Sequence, residues 1–516
     1  MSEANDFLPV NCLISMFTIL NITFVACGGY FIYRIIKFIV SFHYQWSVFQ
    51  KVQGPTDYHC FYGNLHTFPK DCGEDVQIAF ILNLVRKYPK YFRLWRGPFI
   101  PTIVVYHPDT VKQILKTSDQ KPMGLSANYG FLLPWLGPGL VIAKESQWKR
   151  SRRLLSPAFH FDILKPYIAI YNDAANVLEK LAVIADTGKP FEVFEAISLC
   201  TLDIIMRCAF SYHTDCQRQK ETHPYVQAVH ALTDIVEYRA RNPILYPDFI
   251  FYLTKRGREF LKCCKFVHSV AERVIYTRRK TLEKEGVSSG KFLDLVDILL
   301  TARDETGDGL TPLEIRNETD TFMFGGHDTT SSAMSWILYS LAEHMDVQNK
   351  VRIELDSVLE GRQSDDLLWD DLPLLEYMGM VIKEAMRQHC PVPVFARQLK
   401  TDDQIDGHIL PAGTTVVIDL YMLHHNEEVW ERPMEFIPER FSKENASKID
   451  PFQFIPFSAG HRNCIGQKFG MNEMKVILSK LVHRYKFELE PSHIPQKKAS
   501  LVMRAVNGIL LRVSSR

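Results

Sequence analysis

The feature that most limits how this chain can fold is an uninterrupted apolar run near its start. Leu13 to Tyr33 form 21 consecutive positions without a charge. A helix of about 20 apolar residues is long enough to cross the hydrocarbon core of a bilayer. Arg34 and Lys37 follow the run, and basic flanks remain in the cytosol. The sequence therefore predicts a single-pass membrane anchor with the rest of the chain on the cytosolic side.

The remainder of the chain is predicted to be one large globular domain. The 516 residues are 46% hydrophobic with a net charge of +1, so no nucleic-acid partner is expected. We assign residues 1–42 to the anchor and its flanks and residues 43–516 to the domain, because no linker interrupts the latter. Helical periodicity between about residues 144 and 390, with strand-like runs on both sides, predicts a mainly α fold with a smaller β portion.

The longest predicted helix has a clear start. Thr311 is placed to cap it, Pro312 suits its first turn, and Glu314 completes a capping box. The helical pattern then continues to about His344. At 1.5 Å per residue, about 32 residues give a helix of about 48 Å, which would cross a whole domain.

Two adjacent glycines, Gly325 and Gly326, interrupt the middle of this helix. Each glycine costs about 1 kcal/mol relative to alanine in a helix interior, so their position needs a reason. Gly325 and Thr329 are four residues apart and therefore share a face. We expect the glycines to open a groove against which a flat molecule lies, with the Thr329 hydroxyl at its edge.

The decapeptide FSAGHRNCIG supplies a chemical partner for this groove. Cys464 is expected to open a helix, and a helix N-terminus lowers the pKa of a thiol through its free N–H groups and its dipole. Gly460 and Gly466 would let the backbone approach the sulfur closely, and Arg462 adds a cation. These residues predict a reactive or ligand-binding thiolate.

This decapeptide resembles the haem-ligand loop of cytochromes P-450, in which the cysteine at the Cys464 position is the axial ligand of the haem iron. The resemblance covers nearly the whole chain. It implies the cytochrome P-450 fold, a single large haem domain behind an N-terminal anchor helix. It further implies haem b as cofactor, dioxygen as co-substrate, and electrons from NADPH through NADPH–cytochrome P-450 reductase. The implied activity is that of a monooxygenase of the endoplasmic-reticulum membrane.

The segment GGHDTT resembles the oxygen-activating segment of the same family. In the family the groove at the Gly325 and Gly326 positions admits haem and oxygen. By this resemblance, Asp328 and Thr329 would relay protons to the distal oxygen.

A Glu-x-x-Arg motif follows at Glu384 and Arg387. Three residues apart on a helix, the two side chains can form a bidentate ion pair. In the family this pair is joined by the arginine of Pro-Glu-Arg-Phe, here Arg440, and braces the fold behind the haem. Its role is structural, and breaking it should reduce haem incorporation.

The haem propionates require cations, and Trp148 with Arg152 matches the family's Trp-x-x-x-Arg helix. The residues expected to bind the haem are Trp148, Arg152, Arg397, Arg462, Gly325, Gly326 and Phe457, besides Cys464. Lys149 and Arg150 are instead expected on a solvated face, where they would help to dock an acidic electron donor.

The phrases DTFMFGGHDTTSS, HHNEEVWERPMEF and FSAGHRNCIGQKFG resemble family 4 of the superfamily, whose members hydroxylate fatty acids and eicosanoids at or near the terminal methyl. The region around KRGREFLKCCKFVHS is similar to vertebrate-type members that act on leukotrienes. Many members of this branch carry a glutamate, esterified to the haem, at the position of Gly325. The glycine here predicts a noncovalently held haem and a looser pocket.

An apolar, aromatic channel would suit a lipid-like substrate. Its candidate residues are Phe131, Trp135, Phe322, Phe324 and Phe395, although such residues form protein core as often as pockets. Two other functions stay open: the same chemistry on sterols or foreign compounds, and a haem-thiolate sensor without turnover. A sensor needs no proton relay, so Asp328 and Thr329 argue against the second.

Overall fold

The computed structural model describes residues 10–69, 74–117, 120–123, 129–176, 180–185, 187–214, 216–218, 223–285, 293–498 and 500–516. The helices are α1 Val10–Phe49, α2 Glu74–Lys87, α3 Pro108–Thr117, α4 Tyr129–Leu136, α5 Glu145–Leu155, α6 Phe161–Leu164, α7 Tyr167–Asn176, α8 Lys180–Ala185, α9 Val193–Phe210, α10 Pro224–Arg241, α11 Asp248–Leu253, α12 Lys255–Glu285, α13 Leu295–Thr301, α14 Pro312–Glu343, α15 Met345–Val358, α16 Glu376–His389, α17 Leu420–His424, α18 Lys443–Ala446 and α19 Gln467–Arg484. The strands are β1 Tyr91–Trp95, β2 Pro101–Val105, β3 Phe191–Glu192, β4 Val394–Gln398, β5 Asp403–Ile405, β6 His408–Leu410, β7 Thr415–Asp419, β8 Tyr485–Leu489, β9 Lys497–Lys498, β10 Arg504–Ala505 and β11 Leu510–Ser515. The predicted mainly α architecture with a smaller β part is confirmed.

The strands form two larger sheets and two short hairpins. The four-stranded sheet has the order β1-β2-β7-β4, in which β2 and β7 are parallel and the other neighbours antiparallel. The three-stranded sheet has the order β3-β11-β8, and β5–β6 and β9–β10 pair as hairpins. The strand-like runs at both ends of the helical region therefore meet in common sheets.

Helix α1, predicted as a membrane anchor, extends well beyond the apolar run that predicted it. Its segment Ile19–Phe49 is, within the described residues, the one helix long and apolar enough to cross a membrane. The last turns of this helix are less exposed and pack on the domain. The centroids of the Phe42 and Trp46 rings lie 6.0 and 4.8 Å from that of the Trp95 ring. The expected boundary between residues 42 and 43 thus falls inside a continuous helix.

Helix α14 crosses the centre of the domain, as predicted. It runs over 32 residues, and Thr311 and Glu314 form the reciprocal capping box expected from the sequence. Met323, Met334 and Ile337 on this helix are completely buried. An element of this length, packed on all sides, provides a rigid support for a site at its middle.

The helix after the cysteine begins later than predicted. Helix α19 starts at Gln467, with Gly466 as its N-cap, so Cys464 lies in the preceding loop. The Cys464 N–H donates to the Phe457 carbonyl oxygen over 2.9 Å. This hydrogen bond closes the loop, so the Cys464 N–H is not available to the sulfur.

Candidate functional site

The Cys464 side chain is accessible although protein surrounds its thiol on most sides, so it lies in a recess of the domain, called the cleft below. The surrounding protein desolvates the thiol and raises its pKa. A hydrogen bond from the Gly466 N–H and the charge of Arg152 oppose this effect. The expected net lowering of the thiol pKa is thus wrong for the protein alone. A bound metal cation would be needed to favour the thiolate.

Gly460 and Gly466 of this loop differ in whether the surrounding atoms leave room for a side chain. Gly460 has a φ of +74°, and a Cβ at this position would lie 2.9 Å from the Leu115 carbonyl oxygen. Only glycine fits such a position without strain. A Cβ at Gly466 would make ordinary contacts, 3.8 Å from the Phe159 ring. Close approach is therefore required at Gly460 and not at Gly466.

Helix α14 forms another wall of the cleft. The ring of Phe159, which neighbours Gly466, stacks on that of Phe322 with 5.6 Å between centroids. Phe322, Gly325 and Thr329 share one face of the helix. A Cβ built on Gly325 meets no atom within 4 Å, so this glycine opens onto free space, as the groove prediction requires.

Gly326 does not open the groove. A Cβ there would lie 2.6 Å from the Cδ1 and Cγ1 atoms of Ile205 on helix α9. Thr201, one turn earlier on α9, donates to the His327 carbonyl oxygen over 3.0 Å. Gly326 therefore allows α9 to pack closely against α14, and its predicted role in the groove is wrong.

Asp328 and Thr329 are not joined into a relay in this conformation. The Thr329 hydroxyl donates to the Gly325 carbonyl oxygen of its own helix over 2.8 Å. The Asp328 carboxylate, fully buried, instead accepts from Arg504 Nη2, which lies 2.7 Å from each oxygen. Burial alone would raise the pKa of Asp328, but Arg504, His327 and His230 outweigh it and lower that pKa.

Four of the predicted haem-binding residues lie near the cleft. Arg152 donates to the carbonyl and side-chain oxygens of Asn463 over 2.9 and 3.0 Å, which ties helix α5 to the Cys464 loop. Arg462 donates to the Ala143 carbonyl oxygen, and its guanidinium carbon lies 4.7 Å from the centroid of the Trp148 ring. Arg397, on strand β4, is 2% exposed.

Lys121 is a cation of this site that sequence reasoning missed. Its ammonium group donates to the Tyr129 hydroxyl over 2.9 Å. Burial, followed by the charges of Arg397 and Arg462, lowers the pKa of Lys121 well below its ordinary value. A single lysine in a loop carries no sequence signal, because only the tertiary structure brings it to the two arginines.

The brace predicted from Glu-x-x-Arg is present. Glu384 and Arg387 are both fully buried and form two hydrogen bonds of 2.8 Å. Arg440 lies 3.4 Å from the same carboxylate, and Arg387 also donates to the carbonyl oxygens of His424 and Pro433. The cluster thereby ties α16 to the loops that precede the Cys464 segment.

Four of the five predicted channel residues are buried, and among these Phe322 and Phe395 keep the most exposure, 8 and 9%. Trp135 has no exposed surface and packs on Phe324 with 4.7 Å between centroids, so it belongs to the core and its assignment to the channel is wrong. Phe131 is also buried, beneath Arg239 of α10. Phe395 lies beside the cation cluster, with its ring 5.7 Å from Lys121 Nζ.

The basic pair on α5 is engaged within the molecule. Arg150 donates to Asp304 over 2.6 Å and to Glu314 over 3.3 Å, and thus joins α5 to the start of α14. Lys149 pairs with Glu145 over 3.0 Å and is 61% exposed. Arg150 is therefore a structural cation, and the prediction that it docks a partner is wrong.

These residues fit a haem. An accessible thiol can ligate iron, Gly325 borders free space, and Lys121, Arg397 and Arg462 gather positive charge that an anion must balance. A family model for cytochrome P-450 matches residues 52–512.

The chain belongs to the cytochrome P-450 family. It is 39% identical to cytochrome P-450 4F8 of Homo sapiens over 503 residues, which cover 95% of each chain. It is 41% identical to human cytochrome P-450 4F2 over 84% of this chain and 85% of that one. The leukotriene-B4 omega-hydroxylase 3 of Mus musculus is 40% identical over 84% of both chains.

This cytochrome P-450 is a haem-thiolate monooxygenase, an oxidoreductase that takes its electrons from a redox partner. The resemblance to family 4 is confirmed by these relatives. Its N-terminal apolar helix fits a membrane anchor.

Proposed function

We propose that this cytochrome P-450 inserts one oxygen atom from dioxygen into a C–H bond at or near the terminal carbon of a long-chain fatty acid or eicosanoid. The observation that carries the proposal is the cleft between Cys464 and the open Gly325 face of α14. Its aromatic side chains, among them Phe322 and Phe395, suit an alkyl chain. The printed name of the mouse relative, a leukotriene-B4 omega-hydroxylase, supports this substrate class.

Different residues of the chain would have different roles around the haem. When bound, the haem would supply the activation of dioxygen. Cys464 would be its thiolate ligand, and the groups that would hold the propionates are Trp148, Arg152, Arg397, Arg462 and Lys121. Asp328 and Thr329 would hold and move protons on the α14 side, once Asp328 leaves Arg504 and Thr329 leaves the Gly325 carbonyl.

NADPH–cytochrome P-450 reductase is the proposed electron donor. Lys468, at the start of α19 next to the Cys464 loop, is exposed and suits an acidic partner. Charge reversal at Lys468 is expected to raise the KM for the reductase and leave the ferrous carbonyl spectrum unchanged.

The proposed location is the endoplasmic-reticulum membrane, with residues 1–42 as anchor and flanks and residues 43–516 as the cytosolic domain. Phe249 and Leu253 on α11 are 72 and 78% exposed and form an apolar tip. The chain just before α11 contacts the turn between β1 and β2, where Pro243 approaches Gly97. Phe99 of that turn packs on Phe38 of the anchor, so the tip and the anchor suit one membrane surface. Complete digestion of the domain by protease added to intact microsomes would support this orientation.

The haem is proposed to be held without a covalent bond to the protein, because residue 325 carries no side chain that could form an ester. Acid–organic extraction should release all of the haem from the wild-type protein. The Gly325→Glu variant has free space for its side chain and is expected to retain part of the haem on the polypeptide. Haem that stays with wild-type protein would contradict the proposal.

The decisive experiment is a product map. Purified protein, reductase, NADPH and ¹⁸O₂ are incubated with fatty acids, leukotrienes, sterols and drugs, and products are analysed by mass spectrometry. A hydroxylated acyl chain carrying one ¹⁸O atom near its end is expected. Products from sterols or drugs alone would reject the substrate class. The Cys464→Ser variant should lose the red-shifted Soret band of the ferrous carbonyl form, and a retained band would reject the ligand assignment.

A further inference from the structure

His230, on helix α10, is partly exposed and lies beside the buried Asp328. Its Nε2 atom lies 4.0 Å from the Asp328 Oδ1 atom, and its side chain is 30% exposed. The Nε2 atom itself is buried and makes no hydrogen bond with any residue that the structure describes. The His230 ring is therefore partly accessible to solvent, while its buried Nε2 atom lies near the fully buried Asp328 carboxylate.

The other groups at Asp328 are poor sources of a proton. Arg504 contacts both carboxylate oxygens, but a guanidinium group does not release its proton at physiological pH. His327 is completely buried, and its Nδ1 is engaged with the Met323 carbonyl oxygen over 2.7 Å. Within the described part of the chain, His230 is thus the titratable group that both approaches Asp328 and reaches water.

We propose that His230 is the residue through which protons from solvent enter Asp328. The inference rests on the proposed function, because the overall reaction, RH + O₂ + 2 e⁻ + 2 H⁺ → ROH + H₂O, consumes two protons. In each transfer Nδ1 takes a proton from hydronium in the solvent while Nε2–H releases its proton to Asp328 Oδ1, so the ring passes from the Nε2–H to the Nδ1–H tautomer. A rotation that exposes both nitrogens to solvent lets the Nδ1 proton leave and another bind at Nε2, which restores the first tautomer with no net charge on the ring.

The surroundings of His230 suit such a shuttle. Burial and the charges of Arg504 and His327, opposed by Asp328 and Asp234, together lower the pKa of His230 to about 4. The ring is therefore neutral near pH 7, with one nitrogen that donates and one that accepts. A distance of 4.0 Å exceeds a hydrogen bond, so a small rotation of the ring or one bridging water must complete the connection.

Helix α10 also contacts the partner of Asp328. Thr233, three residues after His230 and on the same face, accepts a hydrogen bond from Arg504 Nη1 over 3.0 Å. The ring of Phe194 on α9 lies 5.5 Å from the His230 ring and limits its movement. A shift of α10 would consequently change both the Arg504 clamp and the distance from His230 to Asp328.

The test compares His230→Gln and His230→Asn with wild-type protein, and uses His213→Gln, at an exposed loop position, as matched control. Product per NADPH is measured with reductase at several pH values in H₂O and D₂O. Product driven by added hydrogen peroxide is measured in parallel, because peroxide brings its own protons.

In both His230 variants the ratio of NADPH-driven to peroxide-driven product should fall about tenfold or more, and the solvent isotope effect should rise. His213→Gln should match wild type.

Wild-type ratios, pH profile and isotope effect in both His230 variants would overturn the inference. A parallel loss of both reactions, with an altered ferrous carbonyl spectrum, would also overturn it, because His230 would then be a packing residue. Absence of product from wild-type protein in both assays would instead reject the proposed function, so the two failures are distinguishable.

Discussion

The Nη2 atom of Arg504 donates to both carboxylate oxygens of Asp328, over 2.7 Å each, and the two side chains form an ion pair. Asp328 is completely buried at the centre of α14, and Arg504 belongs to the C-terminal hairpin β9–β10. One helical turn later, the Ser332 hydroxyl donates to the Met503 carbonyl oxygen of the same segment over 2.6 Å. The hairpin is thereby fastened to the middle of the helix that covers the cleft.

Replacing Arg504 by methionine is expected to destabilise the protein by roughly 3–5 kcal/mol, because Asp328 would remain buried without its counter-charge. The measurement is the free energy of unfolding in urea, with haem content followed in parallel. Arg86→Met removes an arginine from a pair with Glu427 in which both side chains are more than half exposed, and it serves as control with little expected change.

A double variant, Asp328→Asn with Arg504→Met, should recover part of the lost stability because no buried charge remains. A single Arg504→Met variant as stable as wild type would show that the pair adds nothing to the fold.

The two glycines of α14 should respond oppositely to alanine. Gly325→Ala places its methyl in free space and gains helix propensity, so it should be neutral or stabilising by about 1 kcal/mol. Gly326→Ala drives a methyl into Ile205 and should destabilise by roughly 1–3 kcal/mol. Thermal unfolding of both variants tests the difference, and Ile205→Ala combined with Gly326→Ala should recover stability. Equal effects at the two positions would contradict the packing described for α9.

Lys121 is expected to contribute to haem affinity. A charge-assisted hydrogen bond contributes about 1.5–3 kcal/mol. Lys121→Met should therefore speed the transfer of haem to apomyoglobin by roughly tenfold or more, since 1.4 kcal/mol corresponds to tenfold. Lys121→Arg keeps the charge and should retain most of the affinity, and the exposed Lys116→Met is the control. If haem loss from Lys121→Met proceeds at the wild-type rate, this lysine does not serve the propionates.

Asp320 makes stability depend on pH. Burial raises the pKa of Asp320 from 3.8 to about 8, against the opposing charge of Arg316 at 3.8 Å. The folded state then keeps a proton that the unfolded state loses near pH 4. Stability from this group is complete below pH 4 and decreases as the pH rises towards 8, by about 1.4 kcal/mol per unit.

Asp320→Asn removes this dependence. Its melting temperature relative to wild type should therefore increase between pH 6 and pH 7.5. Asp304→Asn changes an acid whose pKa is lowered and should show no such increase over the same range. A difference between Asp320→Asn and wild type that stays constant with pH would contradict the assignment.

Sequence patterns predicted the elements that depend on near neighbours. The capping box of Thr311 and Glu314 and the pair of Glu384 and Arg387 each span three residues, and helix geometry alone brings such side chains together. The ten-residue motif around Cys464 identified the family because its residues, too, are neighbours in the sequence. The start of α19 was predicted three residues too early, because the loop closes on the Phe457 carbonyl before the helix begins.

The sequence by itself thus determined the long apolar N-terminal helix, the long glycine-containing helix, the cysteine motif and, through them, the chemistry of a cytochrome P-450. Only the tertiary structure decided how Asp328 is held, why Gly326 is a glycine and which lysine joins the cations. Asp328 and Arg504 are 176 residues apart, and no local periodicity connects them. Such contacts arise when distant elements pack around one core, and packing geometry leaves no signature in a short segment of sequence.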